Sequence, residues 1–157
     1  MRSILVDSLF TTSAPSPRNA RTDDDQTVHT IWEPGDEAGF TLVVGPDYST
    51  GTDFSLIIEE LSGNAGYSHA WNVKCLLKKE VEGQFSSCEE SSVHWFTPID
   101  SGDTVTRRVI QVTGQFNPGT VDNVSIQPGD YITFIVGLSA EPGIEDYLNV
   151  KVLNIRI

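Results

Sequence analysis

The sequence is short of cations, of cysteine and of long apolar runs. Its 157 residues carry 10 Lys and Arg against 22 Asp and Glu, a net charge of −12. Binding a nucleic acid through phosphate contacts needs clustered positive charge, so nucleic acid is excluded as the main partner. No apolar stretch approaches the ~20 residues that span a bilayer, so no membrane partner is expected. Helix formers are also sparse. Ala, Leu, Met, Lys and Gln number 26, whereas Val, Ile and Thr number 41. β-Branched side chains fit a pleated surface and lose rotamer freedom in helices. No window of helical length shows a clean i, i+3, i+4, i+7 apolar pattern.

Charge is unevenly placed. Residues 1–22 hold Arg2, Arg18, Arg21 and Asp7, a net of +2, which leaves −14 for residues 23–157. The apolar run Ile4-Leu5-Val6 ends at Asp7, short of the ~7–15 residues of a signal-peptide core. The protein is therefore expected to stay in the compartment where it is made. A polar stretch with Pro15 and Pro17 follows and favours extended backbone. Residues 1–26 read as an extended arm and 27–157 as one domain. Ile4, Leu5, Val6, Leu9 and Phe10 are apolar enough to hold the arm against a partner, with Arg2, Arg18 and Arg21 for ionic contacts. The arm either reaches a neighbouring subunit or packs as a strand on its own domain.

The body alternates short apolar segments with turns. Strands are predicted over 27–32, 40–44, 52–61, 70–80, 92–99, 104–113, 121–126, 131–138 and 147–157. Glu33-Pro34-Gly35-Asp36 and Gln127-Pro128-Gly129-Asp130 are turn sequences. In the last strand, Leu148, Val150 and Val152 change phase to Leu153, Ile155 and Ile157, which predicts a bulge near Leu153. About nine strands at this spacing define an all-β, antiparallel β-sandwich, jelly-roll-like.

No catalytic constellation stands out. His29, His69 and His94 lack zinc spacing. Glu59-Glu60 and Glu89-Glu90 are neighbours in strands and so point to opposite faces. Asp23-Asp24-Asp25 has no EF-hand spacing and reads as a solvated acidic loop. Cys75 and Cys88 flank a predicted turn. A bridge is geometrically possible, but without a secretion signal two free thiols are expected. Asn123-Val124-Ser125 is a glycosylation acceptor only inside a secretory pathway. No catalytic residue, metal or cofactor is assigned. Trp32, Trp71 and Trp95 are expected in the core.

The C-terminal segment Gln-Pro-Gly-Asp-Tyr-Ile-Thr-Phe-Ile-Val-Gly-Leu, with the later Glu-Asp-Tyr-Leu-Asn-Val-Lys-Val-Leu-Asn-Ile-Arg-Ile, resembles the closing hairpin of β-sandwich domains in tailed-phage virion proteins. Trp-Glu-Pro-Gly-Asp at 32–36 and Gly-Thr-Asp-Phe-Ser-Leu at 51–56 are similar to the same pattern. The usual Arg-Asp after the penultimate strand is replaced by Gly137-Leu138-Ser139. The resemblance implies a structural, non-enzymatic role. The expectation drawn from it is a capsid decoration or cement protein, homotrimeric, on the outer capsid surface. Its arm would contact the major capsid protein or neighbouring copies. The alternative is a carbohydrate-binding module or the receptor-binding head of a tail fibre. The discriminating feature is a solvent-exposed aromatic platform, with Tyr48, Tyr67 and Trp95 as candidates.

Overall fold

The computed structural model describes residues 3–5, 10–21, 28–61, 68–97, 105–144 and 148–156. Every regular element among them is a strand, so no helix is long and apolar enough to cross a membrane. The strands are β1 (Ser3–Leu5), β2 (Phe10–Thr11), β3 (Arg18–Arg21), β4 (Val28–Trp32), β5 (Glu37–Val43), β6 (Ser55–Leu61), β7 (His69–Val81), β8 (Gln84–Phe96), β9 (Val105–Gln111), β10 (Thr120–Val121), β11 (Val124–Ser125), β12 (Tyr131–Ala140) and β13 (Leu148–Arg156). One sheet runs β3-β4-β13-β6-β9, with β1 also on β13, and the other runs β2-β5-β12-β7-β8. All ladders are antiparallel. The result is the expected jelly-roll-like sandwich.

The core lies between the sheets and follows the alternation of each strand. Trp32, Phe54, Leu56, Ile58, Trp71, Cys75, Ile132 and Phe134 are all fully buried. Side chains of this kind stabilise by roughly 1.5–3 kcal/mol each when taken from water. Trp32 and Trp71 meet edge-to-face across the sheets at 5.1 Å.

Two turns of the same sequence set the centre of the second sheet. In each, the Asp carboxylate accepts the N–H three residues back, Glu33 for Asp36 and Gln127 for Asp130, both at 2.8 Å. The glycine between takes a positive φ, 98° at Gly35 and 91° at Gly129, which a side chain would oppose. Each turn then caps the far end of the neighbouring strand. Gly35 donates to Leu138 and Gly129 donates to Val44, both at 2.8 Å. The β5–β12 pair therefore has approximate two-fold symmetry. Phe40 and Phe134, each four residues past its turn's Asp, are register partners with rings 5.3 Å apart.

The last strand shifts register between Val150 and Val152, as the phase change predicted. Strand β8 begins eight residues earlier than expected and pairs with β7 along its whole length. Its first half, rich in Ser and Glu, has no apolar alternation to announce it. Glu82 and Gly83, both at positive φ, close the hairpin in two residues. Cys75 and Cys88 are free thiols. They lie on the same face but oppose Glu90 and Leu77, respectively.

The segment read as an arm is built into both sheets. Ile4 pairs with Ile155 and Leu5 with Asn154. Arg18 pairs with Ile31 and Arg21 with Val28. Phe10 pairs with Gly39, and its ring fills the space that a Cβ at Gly39 would occupy. Of the two placements open to the arm, these residues take the one on their own domain, because β13, β4 and β5 present free edges within reach. Arg2, Val6 and Leu9 lie outside the described residues. Removal of residues 1–21 should destabilise the body by about 1–3 kcal/mol. That is the balance of several lost hydrogen bonds at roughly 0.5–1.5 kcal/mol each and the regained chain entropy. Urea unfolding of the truncated chain checks this, and an unchanged midpoint would show that these strands add no stability.

Candidate functional site

Two clusters of polar side chains lie within the sandwich, and both hold structure. Glu60, on the inward face of β6, is fully buried. Its Oε1 accepts from His69 Nε2 at 2.7 Å and Trp71 Nε1 at 2.8 Å. Its Oε2 accepts from Arg108 Nε at 2.9 Å. Arg108 also donates to the Thr97 carbonyl and stacks over Phe96 at 4.6 Å. Burial by itself pushes a carboxyl upward. The His69 hydrogen bond and charge, with Trp71 and Arg108, outweigh it and hold Glu60 below its ordinary value. A carboxylate closed off on all sides cannot meet a substrate, so its chemistry is that of an internal tie. Its neighbour Glu59 faces outward and pairs with Arg107 at 2.8 Å, as alternation requires.

The second cluster pins the loops at the opposite end. Asp53 Oδ1 accepts from the Gly119 N–H at 2.8 Å and from Thr113 Oγ1. The buried Glu90 accepts from the Asp122 N–H at 2.9 Å. Cys88 donates to the Val121 carbonyl. Burial raises the thiols of both Cys75 and Cys88, so neither is a poised nucleophile. Burial also lowers His94, whose Nε2 lies 2.9 Å from Ser92 Oγ. Among the described residues, no three His, Cys, Asp or Glu converge on a point where a metal would sit.

The surface with binding character is the outward face of the second sheet. The ladders place its side chains in rows across four strands. Glu37, Gly137, Asn72 and Val93 form one row, and Gly39, Ile135, Lys74 and Ser91 the next. Thr41, Thr133, Leu76 and Glu89 come next, then Val43, Tyr131, Lys78 and Ser87. Trp95, beyond the first row, opposes Ala70. Trp95 is 56% exposed, Val93 58%, Phe10 42% and Tyr131 41%. Phe85 is also exposed on this face but lies under Lys78, whose Nζ is 4.2 Å from the ring centre. Between the aromatics lie hydrogen-bonding groups. Thr41 and Thr133 hydroxyls meet at 2.8 Å, and Asn72 Nδ2 donates to Ser139 Oγ at 3.0 Å. An open depression of about 210 Å³ is lined by Glu37, Asn72, Lys74, Ser91, Val93 and Ile135.

Trp32 and Trp71 are core residues as expected, and Trp95 is not. The residues Val93-Trp95 do share a face, but it is the outer one. The inward face of β8 carries Cys88, Glu90, Ser92 and His94, and the 112–130 loop supplies polar partners to Cys88 and Glu90. Of the three aromatics considered for a platform, Trp95 is exposed. Tyr48 is buried, stacked on Phe54 at 5.5 Å, with its hydroxyl donating to the Thr52 carbonyl at 2.5 Å. Tyr67 lies outside the described residues. Of the arm residues, Phe10 joins this face, and its neighbours on the polar rows were not singled out from sequence. Only pairing across strands reveals those rows, because Glu37, Asn72, Lys74 and Ser91 are far apart in the chain.

No protein-family model and no curated protein matches the chain. Solved structures do share its architecture. One is the CBM36-1 domain of a multidomain xylanase from the hindgut metagenome of Trinervitermes trinervoides. The likeness covers 99% of this chain and 96% of that one, at 12% identity and a TM-score of 0.48. A second is TmCBM61 in complex with β-1,4-galactotriose, covering 90% and 81%, at 8% identity and a TM-score of 0.37. A third is a structure of carbohydrate-binding modules from the β-sandwich superfamily, covering 96% of this chain and 56% of that one, at 10% identity and a TM-score of 0.41.

The Glu60 tie generates a pH test. A carboxyl held low in the folded state contributes stability above its ordinary pKa, and loses it as pH falls through the folded value. The stability gap between wild type and Glu60→Gln should therefore be full at neutral pH and close in acid, below about 4.5. Glu60→Ala, which strands Arg108 without its partner, should destabilise by about 3–5 kcal/mol at pH 7. Urea titrations at a series of pH values measure both. A gap that ignores pH would mean that the carboxylate charge does not matter.

Proposed function

We propose that this chain is a carbohydrate-binding domain and that it binds through the outward face of the second sheet. The observation that carries this reading is Trp95. Its indole is more than half exposed on a rigid strand, although the core already holds two tryptophans and has no need of a third at the surface. Leaving a large aromatic in water forgoes the stabilisation of burial, and exposed apolar clusters of this kind mark interaction sites. An indole offers a flat, electron-rich surface to the polarised C–H bonds of a sugar ring. Neighbouring hydroxyl, amide and charged groups supply the polar contacts that fix its orientation. Such a surface serves equally in a module attached to an enzyme and in a receptor-binding head, since the fold does not choose between them.

Capsid decoration, as expected from the sequence, would act through the N-terminal arm. The described parts of that segment are instead strands of the two sheets, and no observation favours that role. Glycan-array screening followed by calorimetry on the best ligand tests the carbohydrate reading. Trp95→Ala should weaken binding by about 2 kcal/mol, roughly thirty-fold in Kd. Val109→Ala, an exposed apolar residue on β9 of the first sheet, should bind as wild type does. An array without hits, or an undiminished Trp95→Ala, would remove the proposal.

A further inference from the structure

The outward face of the second sheet contains two interior glycines, and they have opposite surroundings. At Gly39 the space above the backbone is taken by the Phe10 ring. At Gly137 no ring lies over the backbone, and only the Asp36 carbonyl and the Glu37 side chain come near. A Cβ there would meet nothing closer than the Asp36 carbonyl at 3.6 Å and the Glu37 side chain at 3.9 Å, which is ordinary contact. The backbone at Gly137 is not in the left-handed region, so neither conformation nor crowding demands a glycine. Glycine inside a strand lowers stability through chain entropy and lost packing. Its effect here is that no side chain of its own stands between its neighbours across the sheet. By register, Gly137 lies between Glu37 and Asn72, and those two side chains stand at the wall of the depression with Lys74, Ser91, Val93 and Ile135.

Resting on the carbohydrate reading, we infer that this depression, beside Gly137, is a subsite for one ring of an uncharged polysaccharide. Its size limits it to a single ring. About 210 Å³ is below the roughly 300–1,000 Å³ of sites that enclose a drug-sized ligand. Its polar groups are of every kind that a ring of hydroxyls can use. Glu37 accepts hydrogen bonds, and Lys74 donates them. Ser91 does either, and the Asn72 amide is oriented by its bond to Ser139 Oγ at 3.0 Å. Trp95 is two residues beyond Val93 on the same strand face, about 7 Å away along the strand. A ring stacked on it can continue into the depression as the next unit of the chain.

Charge decides the class. The depression balances one anion, Glu37, with one cation, Lys74, and the chain as a whole is −12. A uronate or sulfated chain would bring further negative charge to a negative molecule with no surplus cation to receive it. A neutral chain meets no such penalty.

Calorimetry with cellohexaose, xylohexaose, mannohexaose and hexagalacturonate tests this. The wild type, Trp95→Ala, Gly137→Val and Gly137→Ala would be compared, with thermal unfolding as the control for folding. The expected result is binding to at least one neutral hexamer and none to hexagalacturonate. Gly137→Val, which adds bulk between Glu37 and Asn72, should raise Kd at least tenfold. Gly137→Ala should raise it less and keeps the test valid if the valine variant fails to fold. Binding that Trp95→Ala abolishes and both Gly137 variants leave intact would overturn the subsite and leave the carbohydrate reading standing. Tight binding of hexagalacturonate would overturn the neutral class. Failure of all four hexamers to bind wild type would overturn the subsite as stated and, with an array without hits, the carbohydrate reading too.

Discussion

A single buried carboxylate links the two layers at the end of the sandwich where Trp95 stands. Glu60 belongs to the first sheet, and two of its three partners, His69 and Trp71, open strand β7 of the second. The third, Arg108, belongs to the neighbouring strand of its own sheet and reaches on to the end of β8. A charge in a dry interior is tolerated only when its oxygens are filled by well-aligned donors. That requirement admits only one position for β7 relative to β6. Because side chains alternate, fixing His69 and Trp71 inward also fixes Ala70 and Asn72 outward. Ala70 opposes Trp95, and Asn72 walls the depression. The binding face thus inherits its register from an interaction on the other side of the sheet.

The acidic residues have a larger internal role than the net charge suggests. Read from the sequence, −14 on the body describes a solvated outer surface. Yet Asp36, Glu60 and Glu90 are buried, and Asp53 and Asp130 accept hydrogen bonds from backbone N–H groups at loops. Asp36, Asp53, Glu90 and Asp130 occupy places where the chain turns and backbone donors would otherwise lack partners, whereas Glu60 takes side-chain donors from both layers. Carboxylates suit these places because one oxygen pair can take several N–H groups at once. Asp130 also takes Lys79 Nζ at 2.6 Å, which fastens the second Pro-Gly-Asp turn to β7.

What was legible in the sequence was whatever has a local cause. Pro-Gly-Asp dictates a turn through its own dihedrals and its own carboxylate. The phase change after Val150 dictates a bulge, and Val/Ile/Thr content dictates strands. What was not legible depends on partners distant in sequence. Strands of two to four residues, such as β1, β2 and β3, have no periodicity and exist because an edge is waiting for them. The alternation Val93-Trp95 correctly grouped these residues on one face of β8. It could not say which face, since the opposing set of Cys88, Glu90, Ser92 and His94 finds its partners only in the fold, Cys88 and Glu90 in the 112–130 loop and Ser92 and His94 in each other. The polar rows of the candidate site were invisible for the same reason. They are assembled by register from β5, β7, β8 and β12, and no single stretch of chain contains them.

The two interior glycines of the second sheet's outer face show how the fold separates structural from functional surface. β5 and β12 are related by approximate two-fold symmetry, with Phe40 and Phe134 as matching partners, yet the symmetry ends on the outside. On the β5 side, the short strand β2 adds to the sheet edge and lays Phe10 over Gly39, which restores a continuous apolar surface. On the β12 side, no segment among the described residues performs that task, because β12 is interior to the sheet and has a neighbour on each side. Gly39, beneath the added strand, is covered by the Phe10 ring, whereas Gly137, at the centre of the sheet, has only the Asp36 carbonyl and the Glu37 side chain beside it. The position of Gly137 between Glu37 and Asn72 then leaves no side chain of its own between those polar groups, and β8 carries Trp95 two residues beyond Val93, which lines the depression.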